Sequence, residues 1–366
     1  MIGIVGGDYE SFKKMLIRFG FCEKGNGKLG LGYGRPIISE DKLIELFNRV
    51  SLMRYDGLRL ITDKCCEVAV AADVDQYFIP AAVDQDGIKY EMNYPSIEYC
   101  IFSLIMLMRE YGASISGYLL SRMHSLFKHN GQTGFNRYMQ SVIYVSTIKV
   151  TARRKISYID IIDRMKSYSF TVAMESGFPA EEITEISDIY TSSRFNARNY
   201  SEYKPISVNF NRYYYDIVAY YLRATKLTDS YSEYIFYYRV IEYFFDSRVK
   251  ERKSLKNVLK RYASPSSLMS KLQGYEDDLI NYYKDNTVKF SSGSKLVWKN
   301  REMFYGTLGK RIYNTRNALV HSKRSQNENT YRPNQDEITL KKEIPLIRAV
   351  AELVIVGSAS GFTSDS

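Results

Sequence analysis

Apolar residues recur every third or fourth position through DYESFKKMLIRFGF (8–21), the spacing of an amphipathic helix. SEDKLIELFNRV (39–50) repeats the pattern and predicts a second helix with Ser39 as its N-cap. MIGIVGG, ahead of both, reads as a short strand. From Gly57 the period shortens: GLRLIT, CEVAVAADV, QYFIPAAV and GIKYEMNY are β-rich runs separated by Asp-Gly and similar turn signals. Helical spacing returns from Pro95 to Val145 in IEYCIFSLIMLMREYG and SISGYLLSRMHSLFKH, interrupted by NGQTG, and two shorter helices follow in ARRKISYIDIIDRMKSY and FPAEEITEISDIY. The stretch SSRFNARNYSEYKPIS (192–207) has neither period, which places a domain boundary there. Residues 1–200 are thus expected to form an α+β domain.

Residues 201–360 read as an all-α bundle, with 361–366 a disordered tail. RYYYDIVAYYLRAT and DSYSEYIFYYRVIEYFFDSRV are aromatic-rich helices, the second capped by Asp229. SLKNVLKRY and PSSLMSKLQGYEDDLINYYKDN follow, then a long helix through VWKNREMFYGTLGKRIYNTRNALVHS. A polar loop, KRSQNENTYRPNQDE, leads to a last helix, PLIRAVAELVIVG, with Pro345 in its first turn and Gly357 just past its end. The chain carries 33 tyrosines, and their helical spacing points to core and helix–helix contacts before base stacking.

Apolar residues make up 45% of the chain and charged residues 25%, the proportions of a soluble globular protein. The most apolar run, IFSLIMLM, is far shorter than a membrane span needs, and the N-terminus lacks the basic and apolar regions of a signal peptide. A cytoplasmic protein with no membrane partner is expected. Cys22, Cys65, Cys66 and Cys100 have no metal-clip spacing and are expected to be buried free thiols. Charge changes the picture more. Residues 1–200 carry 24 Lys and Arg against 23 Asp and Glu, whereas 201–366 carry 27 against 18. Nearly all of the +10 net charge therefore belongs to the helical half, which suits a polyanion partner such as nucleic acid.

Several motifs point elsewhere and are set aside. GNGKLG (25–30) matches GxGxxG, but the segment before it reads as helix, and a dinucleotide fingerprint needs a strand before and a helix after. It is expected to be a flexible loop. GIVGGD lacks the spacing of a nucleotide loop, so a nucleotide-using enzyme built on these glycines is the weakest reading. With three histidines and no Cys/His cluster, neither a metal site nor any cofactor is expected.

YNTRNALVHS (313–322) carries the chemistry. Five residues advance a helix by about 500°, so Arg316 and His321 lie about 140° apart, while Asn317 and His321 are nearly in line. Asn317 is then expected to orient the imidazole while the guanidinium wraps from the side. His321 sits where the helix should end, next to the negative end of its dipole and just before Lys323 and Arg324. RNA is cleaved by its own 2′-OH when a protein supplies a proton shuttle and a cation for the developing phosphorane charge, and these residue types fill both roles. Taken alone, the spacing also fits a surface Arg–carboxylate pair with an incidental histidine, and Arg122 with His129 satisfies it as well.

The order of features resembles the HEPN family (higher eukaryotes and prokaryotes nucleotide-binding), in particular the ribonucleases of bacterial phage defence and toxin systems. The resemblance spans about 205–357: the aromatic helix DSYSEYIFYYRVIEYFFD, the later helix LGKRIYNTRNALVHS, and PLIRAVAELVIV after a polar loop. The family's arginine, polar follower and histidine match Arg316, Asn317 and His321. The resemblance implies a HEPN-like bundle that forms a homodimer through the C-terminal helical domain, and a metal-independent endoribonuclease leaving a 2′,3′-cyclic phosphate and a 5′-OH. Single-stranded RNA or tRNA is the implied partner, in a toxin-like role in antiphage defence by abortive infection. Arg239 and Glu242 on the aromatic helix, with Lys310, Arg311, Lys323 and Arg324, are the expected substrate contacts. By analogy, residues 1–200 sense a regulatory or phage-derived trigger. The alternative is a non-catalytic adaptor that binds nucleic acid or dimerises.

Overall fold

Residues 65–70, CCEVAV, form the central strand of an antiparallel sheet. The computed structural model describes residues 2–18, 20–31, 36–70, 79–112, 135–143, 145–177, 180–191, 210, 213–276, 278–321 and 330–359. Two compact units divide the chain, 1–210 and 211–366. The segment 192–207 lies outside the described residues, as do all of SISGYLLSRMHSLFKH with its pair Arg122 and His129, and the tail 361–366.

In the first unit the strands are β1 (Gly3–Ile4), β2 (Phe21–Glu23), β3 (Lys28–Leu31), β4 (Pro36–Ser39), β5 (Arg54–Asp56), β6 (Arg59–Ile61), β7 (Cys65–Val70), β8 (Ile79–Val83), β9 (Lys89–Asn93) and β10 (Ser146–Thr151). Seven of them form one sheet in the order β1-β5-β6-β7-β10-β9-β8, and β2-β3-β4 form a second. Strand alternation assigns each face a different helix. Cys66, Val68, Val70, Ile148, Val150, Tyr90 and Met92 are buried and share one face by register. That face meets the helix Tyr158–Ser176, where Tyr168 lies 5.3 Å from Tyr90. On the other face Leu60 and Ala69 join the core of the helix Ile97–Tyr111. There Tyr99 donates its hydroxyl to the Leu58 carbonyl and accepts from the Ala69 amide.

Three local expectations differ from the fold of this unit, and that for Ser39 holds in position but not in bonding. GNGKLG is preceded by strand β2, and Gly25, Asn26 and Gly27 take φ of 51°, 54° and 61° to turn the chain into β3. A hairpin leaves no helix N-terminus for a phosphate. Ser39 is the extended N-cap residue of the helix Glu40–Ser51 but makes no side-chain capping bond. The helix read from ARRKISY begins only at Tyr158, because Ala152 and Ile156 bond to the carbonyls of Lys64 and Asp63. Of the cysteines, only Cys66 and Cys100 are buried, while Cys22 and Cys65 are half-buried, and all four are free. Burial pushes the Cys65 thiol up to about 11 and holds the Cys66 and Cys100 thiols well above the ordinary thiol value, so these three are poor nucleophiles.

Numbered along the described residues, the helices are α1 (Tyr9–Arg18), α2 (Glu40–Ser51), α3 (Ile97–Tyr111), α4 (Phe135–Val142), α5 (Tyr158–Ser176), α6 (Ile186–Thr191), α7 (Tyr215–Lys226), α8 (Ser230–Glu242), α9 (Glu251–Tyr262), α10 (Pro265–Gln273), α11 (Leu279–Asp285), α12 (Arg301–Val320) and α13 (Pro333–Ala359). From α7 onward the second unit holds helices and one 3-10 turn, Lys289–Ser291. An α+β region followed by a helical bundle is therefore the architecture of the described residues.

In α8, Asp229 accepts from the Ser232 amide and caps the start, and Tyr234, Tyr237, Tyr238, Val240 and Ile241 are buried. In α12 the buried stripe runs Phe304, Leu308, Arg311, Thr315, Ala318, which turns that face toward the bundle. The last helix differs from expectation. It starts at Pro333, so Pro345 falls inside it, and Gly357 lies within its final turns. Proline at 345 removes one rung of the helical ladder. The Tyr283 hydroxyl enters there, donating to the Lys342 carbonyl at 2.7 Å and meeting the Leu346 amide.

Candidate functional site

Asn300 fixes where α12 starts, its side chain accepting from the Met303 amide at 3.0 Å, and twenty residues later the helix ends at Val320. His321 is the C-cap residue with extended backbone (φ −110°, ψ 105°), and its amide bonds to the Asn317 carbonyl at 2.9 Å. Its position matches the helix end read from the sequence. The imidazole is exposed and makes no hydrogen bond among the described residues.

One turn earlier, Arg316 lies across three elements. Its Nη1 donates to Asn317 Oδ1 at 3.1 Å. Its Nη2 stands 3.5 Å from Glu242 Oε1 at the end of α8 and 3.5 Å from Glu251 Oε1 at the start of α9. The guanidinium carbon sits 5.4 Å from the centre of the Tyr238 ring, and the Tyr238 hydroxyl donates to Glu251 at 2.7 Å. Burial and the bond to Glu251 raise this phenol far above its ordinary range, so it stays protonated and acts as a donor. Arg239 bonds Glu242 from the outer side at 3.1 Å. Two guanidinium and two carboxylate groups thus meet here in balance, and the Arg316 side chain retains 19% of its exposure.

The arrangement joins Arg316, Asn317, Glu242 and Arg239 in one cluster. It differs from expectation in one respect: Asn317 is engaged with Arg316, and His321, having left the helix, is not aligned above it. Lys310 is exposed on α12, while Lys323 and Arg324 lie outside the described residues. Arg311 is corrected outright. It is fully buried, bonds both oxygens of Glu343 at 2.6 and 2.7 Å, and donates to the carbonyls of Asn286 and Ser294. A guanidinium so occupied is a core element and cannot meet substrate. Its place in the apolar stripe of α12, between Leu308 and Thr315, is the signal that marks it as internal.

Two residues of the cluster, Tyr238 and Glu251, carry no signal of their own in the sequence. Tyr238 is hidden among many similar tyrosines, and Glu251 lies in a basic run, ERKSLKNVLKR, where it looks like an ordinary helix-start carboxylate.

Fold and cluster together define a two-part chain whose basic helical unit carries an arginine and a histidine at one helix end. Residues 217–356, from α7 to α13, match the model of a protein family described as methylamine utilization protein MauJ. No curated protein and no solved structure matches the chain.

Proposed function

We propose that the helical unit is a HEPN-type endoribonuclease that cleaves RNA through its own 2′-OH and acts as a toxin-like effector in antiphage defence. In that reaction the 2′-oxygen bonds to phosphorus and the bond to the 5′-oxygen breaks. One proton leaves the 2′-OH and another reaches the departing 5′-oxygen, giving a 2′,3′-cyclic phosphate and a 5′-OH. The internal nucleophile means that no metal-bound water is needed. Arg316 compensates charge on the non-bridging oxygens, Asn317 holds the guanidinium, and the exposed His321 moves the proton. A homodimer through this unit sets two such helix ends side by side. The name of the matched family concerns methylamine utilization and assigns no reaction to Arg316 or His321. The proposal rests on one observation: a partly buried arginine held by neighbours on α8 and α9, one turn from an exposed helix-end histidine.

One observation favours the alternative, a non-catalytic nucleic-acid-binding or dimerisation adaptor. Glu242 and Glu251 occupy the guanidinium that a phosphate would need. The two readings separate on one variant. Purified protein in EDTA is expected to cut single-stranded RNA or tRNA, and His321→Ala to lose cutting by about 10²–10⁴-fold with an unchanged melting temperature. Cleavage by His321→Ala at the wild-type rate removes the catalytic role. RNA binding with steep salt dependence and no new ends in either protein establishes the adaptor.

A further inference from the structure

The aromatic residues of the second unit divide into two groups. Tyr234, Tyr237 and Tyr238 are buried, as helical spacing requires. At the end of α8 a second group stays at the surface, with Tyr243 44% and Tyr214 36% exposed. Their ring centres are 5.6 Å apart, and Phe244 lies 5.3 Å from Tyr243 and 5.7 Å from Tyr214. Phe244 in turn is 5.7 Å from Tyr262, and the Arg261 guanidinium stands 5.1 Å over that ring. The result is a run of rings, exposed at Tyr214 and Tyr243 and half-buried at Phe244 and Tyr262, that finishes beneath a planar cation.

This run is continuous with the candidate site. The Tyr243 amide bonds to the Arg239 carbonyl one turn earlier, and the exposed Arg239 side chain pairs with Glu242, which reaches Arg316. Charge follows the same path. Residues 239–262 hold eight Lys and Arg against three Asp and Glu. Arg252, Lys253 and Arg261 are exposed on or beside α9 and have no carboxylate partner among the described residues. Grouped rings, two exposed and two half-buried, beside unneutralised cations suit a single nucleic-acid strand, whose bases offer flat faces and whose phosphates need charge. A duplex hides those faces within its own stack.

We propose that Tyr214, Tyr243, Phe244 and Tyr262, with Arg261, form the track on which unpaired bases of an RNA strand stack, α9 supplying the charge for its backbone and Arg239 leading it to Arg316. The inference rests on the ribonuclease reading for where the strand leads, but not for the stacking itself. The substrate class it names is single-stranded RNA, or the unpaired loops of a folded RNA.

Fluorescence anisotropy tests it on the full chain carrying His321→Ala, so that bound RNA is not consumed. The probes are a labelled RNA of about 12 unpaired nucleotides and the same strand in a blunt duplex. Tyr243→Leu is expected to weaken single-strand binding by roughly five-fold or more and to leave duplex binding unchanged. Tyr243→Phe, which keeps the ring, is expected to bind as the parent does, and equal melting temperatures exclude a folding defect. Unchanged single-strand affinity in Tyr243→Leu overturns the track, as does a parent protein that binds the duplex equally well or binds neither RNA. The two proposals fail separately. Ring-dependent binding with no His321-dependent cleavage keeps the track and removes the nuclease, and His321-dependent cleavage with a neutral Tyr243→Leu does the reverse.

Discussion

Arg311 and Arg316 sit on the same helix, five residues apart, and both meet glutamates, yet their surroundings are opposite. Arg311 is sealed in the bundle, its planar fork matched to both oxygens of Glu343 at 2.6 and 2.7 Å and its remaining reach taken by two backbone carbonyls. Arg316 lies at the open end of α12, touched by two carboxylates at 3.5 Å and by one amide. A bidentate pair at short range uses the guanidinium fully and repays its desolvation. Two long contacts from separate helices hold a guanidinium in place without saturating it. The difference separates an arginine locked into the core from one held loosely at a helix end.

The largest expected effect tests the buried side of this contrast. Arg311→Ala strands the Glu343 carboxylate in the core and is expected to cost about 3–5 kcal/mol, read as a lower urea midpoint. Replacing both partners with apolar residues, Arg311→Met with Glu343→Leu, is expected to recover most of that loss, since no charge is then left unpaired. If the double variant is as unstable as the single one, the pair is doing more than compensating itself.

A second buried carboxylate, Glu352 on α13, sharpens the point through pH. Burial pushes this carboxyl up, but Arg348 and Lys271 pull it down further, and the outcome lies below its ordinary value of 4.5. Tyr221 and Lys271 complete the cage, donating at 2.6 and 2.7 Å. Because the folded chain holds this proton less tightly than the unfolded chain, the stabilisation is complete above about pH 5 and is lost as pH falls through the folded value. Glu352→Gln is expected to cost on the order of 2–3 kcal/mol at neutral pH and to flatten the fall in melting temperature on acidification. An acid limb identical to that of the parent rules Glu352 out as its source.

The same contrast explains what was legible beforehand. Periodicity located most helices and the strands of the β-rich stretch, because burial of one face imposes a period. It missed β10, whose STIKVT lies between helical stretches and is buried on both faces of the sheet at Ser146, Thr147, Ile148 and Val150. It also began α13 twelve residues late, since Pro345 reads as a helix start, while in the fold the helix runs through it with the distant Tyr283 hydroxyl on the neighbouring Lys342 carbonyl. At the site, Arg316, Asn317 and the helix end at His321 could be read from a few adjacent letters. The ring of Tyr238 beneath Arg316 and the reach of Glu251 could not, because pairings across three helices leave no spacing in the chain.

The smallest stability effect belongs to the open arginine. When Arg316 becomes Ala, Glu242 keeps Arg239 at 3.1 Å and Glu251 keeps the Tyr238 hydroxyl at 2.7 Å, so neither carboxylate is abandoned. The 3.5 Å contacts that disappear are partly solvated on both sides. Arg316→Ala should therefore lower stability by about 1 kcal/mol or less, while under the proposed mechanism cleavage falls by about 10²–10³-fold. Glu251→Gln probes the same contact from the other side. It removes one of two charges competing with phosphate, and a few-fold tighter grip on RNA is expected. An Arg316→Ala variant as unstable as Arg311→Ala would place both guanidinium groups in the service of the fold, and the end of α12 would lose its claim to be a site.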